Sequence, residues 1–269
     1  MRYCALVEYD GAAYFGFQRQ RADQPTIQGE LEKAVSHLAQ TPTAVIGAGR
    51  TDRGVHALGQ VVAFDLAWRH GAKALLRAIN ATLPDDIVIR QLREAADDFH
   101  PRFDARRRSY EYHIYNAVIR SPIKRLRSWH VRQPLDVTSM NQAAKQIVGV
   151  HDFVTFGQPP QGDNTVREVF VAEWQRHDDC LIFRIQANAF LQRMVRSLVG
   201  SLKAVGEGSW SVADFAAAFQ ACDRGQSATV APPHGLYLVA ITYDELGLET
   251  ADSVRSPVSN LLTGQEKTV

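Results

Sequence analysis

The densest chemistry in the chain lies in Gly47-Ala48-Gly49-Arg50-Thr51-Asp52-Arg53-Gly54-Val55-His56-Ala57. One carboxylate, Asp52, stands between two arginines in a turn that carries three glycines. The stretch 43–46 reads as a short strand before it. The stretch 55–66 reads as a strand after it, with Val62, Phe64 and Leu66 sharing one face. Asp52 is therefore expected on a loop between two strands, where glycine lets the backbone approach a ligand closely. Flanking cations favour the ionised form of an acid. An ionised carboxylate beside cations suits a nucleophile, or a stabiliser of transition-state charge, acting on a polyanionic substrate.

Two phosphate-loop readings fail on spacing. Gly47, Gly49 and Gly54 do not match the dinucleotide fingerprint. The interval from Gly49 to Gly54 imitates half of a Walker A loop, but Val55 and His56 stand where Lys and Ser/Thr would be needed. Generic features alone do not separate this loop from a glycine-rich hairpin carrying a solvated acid.

The rest of the chain narrows the class. Its 269 residues, 45% hydrophobic and 22% charged, suit a soluble globular protein of one large or two modest domains. No run reaches the apolar length of a membrane span. The opening Met1-Arg2-Tyr3-Cys4-Ala5-Leu6-Val7-Glu8-Tyr9-Asp10 reads as a strand and not as a signal peptide. Cys4, Cys180 and Cys222 form no CxxC pair, which points to reduced thiols and a cytoplasmic setting. No HExxH or zinc-spaced cluster appears, so no metal is expected. The net charge of +1 hides a local bias. Residues 102–132 hold nine basic side chains, among them Arg106, Arg107 and Arg108, against only Asp104 and Glu111. Codon bias explains an arginine-rich composition but not its clustering, so this segment is expected to face nucleic acid.

The elements that would position these groups repeat. The first half reads as strand Arg2–Tyr9, helix Ile27–Ala39 capped by Thr26, the two strands around Asp52, helix 72–80 and strand 87–92. The second reads as strand 109–116, helix 139–148 closed by Gly149, a hairpin of 166–177 and 180–186 turning at Asp178-Asp179, helix 190–205, helix 212–222 capped by Ser211, and strand 236–243. Both follow the β-α-β-β-α-β path of the ferredoxin-like arrangement, the second with one extra helix. The expected fold is α/β, of the α+β kind. Two such halves would form an extended mixed, mainly antiparallel sheet with helices on one face and the other face open to RNA. The expected boundaries are 1–105 for the half with the Asp loop, 106–245 for the second half, and 246–269 for a polar tail.

Gly49-Arg50-Thr51-Asp52-x-Gly54-Val55-His56-Ala57 resembles the signature loop of the tRNA pseudouridine synthase A family. Glu8-Tyr9-Asp10-Gly11, Tyr14-Phe15-Gly16-Phe17-Gln18-Arg19-Gln20, Asp98-Phe99-His100-Pro101-Arg102-Phe103, Tyr110-x-Tyr112-x-Ile114-Tyr115-Asn116, Ala187-Asn188-Ala189-Phe190-Leu191-x-x-Met194-Val195-Arg196 and Gly235-Leu236-Tyr237-Leu238 fall in the family's order. The resemblance implies isomerisation of uridine to pseudouridine at tRNA positions 38, 39 and 40 in the anticodon stem-loop. It also implies an active cleft between two related halves, a homodimer, tRNA as partner, and no cofactor. Asp52 matches the catalytic aspartate and Tyr110 the tyrosine that contacts the target base. Arg50 matches the arginine that supports base extrusion, Arg196 the arginine that pairs with the aspartate, and Leu236 an apolar residue near the base. The position after the aspartate is usually alanine in the family, but here it is Arg53. That side chain is expected either to face phosphate or to fold back on the carboxylate. Two other readings remain. One is a duplicated RNA-binding module without catalysis. The other is a nucleosidase-type hydrolase, which would need a second carboxylate that the loop does not supply.

Overall fold

The computed structural model describes residues 1–21, 23–159, 162–244 and 246. The element order is β1 (Arg2–Tyr9), α1 (Ile27–Ala39), β2 (Ile46–Gly47), β3 (His56–Asp65), α2 (Gly71–Asn80), β4 (Ile87–Ala95), β5 (Arg107–Asn116), β6 (Trp129–Val131), α3 (Val137–Ala144), β7 (Gly149–Asp152), β8 (Val166–His177), β9 (Cys180–Ala187), α4 (Met194–Gly206), α5 (Val212–Gln220) and β10 (Leu236–Thr242). The chain divides into two compact units. Among the described residues, one is Met1–Arg106 together with residues 237–244 and Leu246, and the other is Arg107–Leu236. Both are mixed α/β with mainly antiparallel strands, the class expected from the sequence.

In the first unit β1 lies between β3 and β4, antiparallel to both. β3 is shared along its length. Its N-terminal end pairs in parallel with β10 (Tyr237 with His56), and its C-terminal end pairs antiparallel with β2 (Ile46 with Ala63). α1 starts where the Thr26 side chain accepts the Gly29 N–H, an N-cap that satisfies an otherwise orphaned donor. Ile27, Leu31 and Val35 bury its apolar face. β1 and β3 are buried on both faces, Tyr3, Ala5 and Val7 on one side of β1 and Cys4 and Leu6 on the other. The expected open sheet face is therefore not found at these strands.

In the second unit the strands run β5-β9-β8-β7, antiparallel throughout, with β6 added in parallel to β5. The Asn141 side chain ties α3 to β8 by bonding both the N–H and the C=O of Trp174 (2.7 and 2.9 Å). Trp174 stacks on Phe183 of β9. α4 is buried around most of its circumference, as its run of Val, Leu, Gly, Ser and Ala demands. The capping box between Ser211 and Asp214 opens α5.

Several boundaries differ from expectation, for local reasons. The strand expected over 43–46 is only Ile46–Gly47. The donors before it are spent on α1: Thr43 N–H on Ser36 Oγ, and Val45 N–H on Glu32 Oε1. The helix expected from residue 190 begins at Met194. Gln192 instead pairs with Gln158 in an isolated bridge, and Arg193 takes a left-handed φ of 63° that no helix continues through. α3 begins earlier than expected because Asp136 caps it, accepting from Thr138 and Ser139. It also ends at Ala144 in a 3-10 turn, so Gly149 (φ 111°) opens β7 and does not close a helix. The short strands β6 and β7 have no counterpart in the sequence reading. The tail expected over 246–269 lies, apart from Leu246, outside the described residues.

Candidate active site

Asp52 sits half-buried on the connection between β2 and β3. The turn closes on itself through Val55 N–H donating to the Asp52 C=O (3.1 Å), with Gly54 at φ 77°, where a Cβ would be strained. The N-terminal side of the loop is fixed by two bonds to β3. Ala48 N–H donates to Val61 O at 2.8 Å, and the buried Gln60 donates from Nε2 to Gly49 O at 2.9 Å. Thr51, directly before the acid, is buried, and its Oγ1 shares a 2.8 Å hydrogen bond with the Tyr9 hydroxyl.

A second segment, residues 10–17, clamps this loop from the side. Phe17 N–H donates to Thr51 O (3.1 Å). A Cβ on Gly11 would stand 1.9 Å from Val55 O, and one on Gly16 would stand 2.7 Å from Thr51 O, so both positions require glycine for close approach. His56, the first residue of β3, is 2% exposed. Its Nδ1 lies 2.9 Å from Asp10 Oδ1 and 3.2 Å from the Gly11 N–H, and its ring stacks on Tyr237 at 4.7 Å. The loop that carries Asp52 is thus held by backbone contacts on both flanks. Such fixing is what holds a reacting group in a productive geometry.

Arg50 and Arg53 share that loop and are exposed. The Arg53 guanidinium lies 4.3 Å from the centre of the Phe15 ring, an arrangement the sequence reading did not consider.

The remaining sequence-expected residues fall in the second unit or at its edge. Tyr110 lies on β5, half-buried, in a T-shaped contact with Phe190 at 5.0 Å. Tyr112, two residues on and on the same face, is buried and donates to Pro232 O at 2.7 Å. Burial pushes the Tyr112 hydroxyl up, with Arg196 pulling the other way. Arg196 lies in the first turn of α4. Its Nε donates to Ala231 O at 2.8 Å, while Ala231 N–H donates to Arg196 O at 3.0 Å. Gly235 packs against the Tyr112 ring, and Leu236 is buried beside it at the start of β10. Tyr112, Arg196 and residues 231–236 therefore gather at one end of this unit. Arg106, Arg107 and Arg108 all carry protein contacts. Arg106 bonds the Asp244 carboxylate, Arg107 lies over Phe170 at 4.4 Å, and Arg108 donates to Asn188 O.

A family profile described as tRNA pseudouridine synthase matches residues 5–104 and 143–244. The chain belongs to the tRNA pseudouridine synthase family. Relatives named tRNA pseudouridine synthase A agree along nearly the whole chain. That of Shewanella amazonensis is 44% identical over 246 residues, 91% of this chain and 94% of its own. That of Pseudothermotoga lettingae is 41% identical over 244 residues, 90% and 99%. That of Rhodospirillum rubrum is 41% identical over 245 residues, 90% and 88%. The profile segments contain Arg50, Asp52, Arg53, Arg196 and Leu236. They leave out residues 105–142, which hold Tyr110 and the Arg106–108 run.

The sequence reading missed the supporting residues: Tyr9, Phe15, Gly16 and Phe17 beside the loop, and Gln60 beneath it. The signals were present as glycines set among aromatics at 11–17 and a glutamine in an otherwise apolar strand. Their meaning depends on a contact between segments some forty residues apart. Among the described residues no helix is long and apolar enough to cross a membrane.

Proposed function

We propose that the tRNA pseudouridine synthase activity of this chain acts on uridines 38, 39 and 40 of the anticodon stem-loop, with Asp52 as its catalytic group. The observation that carries the reading is a half-buried carboxylate on a loop fixed at both flanks, in a chain over 40% identical to enzymes named for this activity. The reaction breaks the N1–C1′ bond of uridine, turns the uracil and joins C5 to C1′. C5 loses a proton and N1 gains one, so atoms balance without a co-substrate and no cofactor is called for. A base inside a stem is out of reach and must be extruded first. Attack at C1′, attack at C6 and removal of a ribose proton all ask the same of Asp52: a fixed carboxylate at near-contact distance from the nucleoside.

The other assignments follow chemical type. Arg50, exposed on the Asp52 loop, has the length and flat guanidinium to occupy the vacated stack. Tyr110 offers a stacking face and a hydroxyl able to accept or relay the C5 proton. Arg196 is the arginine assigned to the catalytic carboxylate, and Leu236 the apolar residue assigned to the base. Arg53, Arg106, Arg107 and Arg108 are assigned to RNA. A homodimer working on tRNA in the cytoplasm completes the reading; the homodimer rests on the family resemblance and the cytoplasmic setting on cysteines that form no CxxC pair.

The test is incubation with tRNA carrying C5-tritiated uridine, without added metal or nucleotide, followed by mapping of the modified positions by primer extension. Tritium release with product confined to positions 38–40 is expected. Product elsewhere in the tRNA overturns the positional assignment. Free uracil supports the hydrolase reading, and binding without release supports the RNA-binding module.

A further inference from the structure

The cation–π pair of Phe15 and Arg53 has no part in the chemistry just described. Phe15 is half-buried and its ring carries the Arg53 guanidinium at 4.3 Å, while Arg53 is exposed. A guanidinium held over an aromatic ring and exposed to solvent is able to lie flat on that ring and offer its outer face to a nucleobase. Its position relative to Asp52 is fixed twice. Arg53 follows Asp52 in the chain. Phe15 precedes Gly16, whose backbone lies against Thr51, Asp52 and Arg53, and Phe17 N–H is bonded to Thr51 O. The Phe15 backbone is itself tied down, its N–H donating to Pro25 O and its C=O accepting from Gln20 Nε2.

We propose that Phe15 and Arg53 form a stacking platform for the nucleobase adjacent to the target uridine. This deepens the proposed function and rests on Asp52 as the reacting site. Extrusion of one base leaves its neighbour without a stacking partner on one side. A flat cation held one residue from Asp52 replaces that partner. Arg53 thus recognises a base face as well as a phosphate, a role that a lysine cannot fill. It favours sites whose neighbouring base stacks strongly, so it tunes the choice among uridines.

The experiment uses anticodon stem-loops carrying 2-aminopurine in place of the base 5′ or 3′ to the target uridine. These are bound by Asp52→Ala protein, which holds the complex without turnover. The bound probe is expected to stay quenched at one of the two positions, and to brighten at least twofold there when Arg53→Lys or Phe15→Leu is added. Phe15→Trp, which keeps a ring, is expected to stay quenched. In the otherwise wild-type protein, Arg53→Lys and Phe15→Leu are each expected to lower kcat/KM about five- to hundredfold, the range that loss of one stacked base gives. Melting curves check that each variant is folded. A probe that remains quenched with Arg53→Lys, together with unchanged kcat/KM, shows a point charge and overturns the proposal. So does a probe insensitive at both positions. Turnover by Asp52→Ala would refute the catalytic reading separately, since the fluorescence arm reads stacking whether or not that carboxylate reacts.

Discussion

Tyr110 and Tyr112 point to the same face of β5 yet differ in burial. The Tyr112 hydroxyl is buried, driven upward in pKa by that burial, and committed to Pro232 O. Tyr110 is half-buried, its ring in a T-shaped contact with Phe190. Tyr112→Phe is therefore expected to cost about 1 kcal/mol of stability, one neutral hydrogen bond, and to leave single-turnover rates within about threefold. Tyr110→Phe is expected to lower the rate at least tenfold while keeping part of the base contact, and Tyr110→Leu to lose both. Rapid-quench turnover and melting curves on the three proteins decide the matter. A fully active Tyr110→Phe would leave Tyr110 as a platform only. Sequence pattern put both tyrosines on one face, but nothing in a β-strand pattern says that the Tyr112 hydroxyl is spent on a carbonyl 120 residues away.

At the scale of elements, β5 and β9 carry a charged cluster on the opposite face. Glu111 is 4% exposed, its carboxylate bonded to the His113 ring at 3.0 Å and to Arg184 Nε at 3.1 Å. Burial works to raise the Glu111 carboxyl, but His113 and Arg184 outweigh it and hold the group below the ordinary glutamate range. A depressed folded-state pKa contributes stability that is present above the unfolded value, near 4.5, and is lost as pH falls through the lower folded value. The wild-type protein is expected to exceed Glu111→Gln by about 2 kcal/mol at pH 7. That gap should shrink as pH is taken from 5 to 3. A gap constant across that range in urea titrations would show that the carboxylate charge is not what stabilises the strand pair. The same scale shows what the sequence could disclose. α1 was legible to the residue because a local cap and a local apolar stripe specify it. The start of α4 was not, because Gln192 pairs with Gln158 and so removes a turn from the helix. β2 was misplaced because side chains of α1 take the backbone donors a strand would use. The start of α3 was missed although its Asp136 cap is local, whereas the errors at α4 and β2 arose where distant partners intervened.

For the molecule as a whole, the net charge of +1 conceals the basic stretch 102–132, most of which lies in the part of the chain outside the family-profile match. Arg106 is exposed in an ion pair with Asp244, while Arg107 and Arg108 reach neighbouring side-chain and backbone groups. Surface interactions of this kind are weak and exchange readily for phosphate. Neutralising all three is expected to flatten the dependence of log K on log salt by about 0.7–0.9 for each phosphate that is no longer neutralised. An unchanged slope would take this segment off the RNA-binding face. The identity of the chain was legible from the Asp52 loop together with short motifs in family order. The clamp around that loop was not, because it arises from glycines whose significance appears only when residues 10–17 meet residues 51–56. The central claim is that Asp52 performs the chemistry while other groups supply the binding. The most direct measurement is single-turnover tritium release from C5-tritiated tRNA by Asp52→Asn and Asp52→Ala, with tRNA affinity and melting temperature read on the same samples. Both variants are expected to stay folded, to bind tRNA within about threefold of wild type because phosphate contacts dominate affinity, and to release no tritium. Turnover within about tenfold of wild type by a folded Asp52→Asn protein would contradict the account.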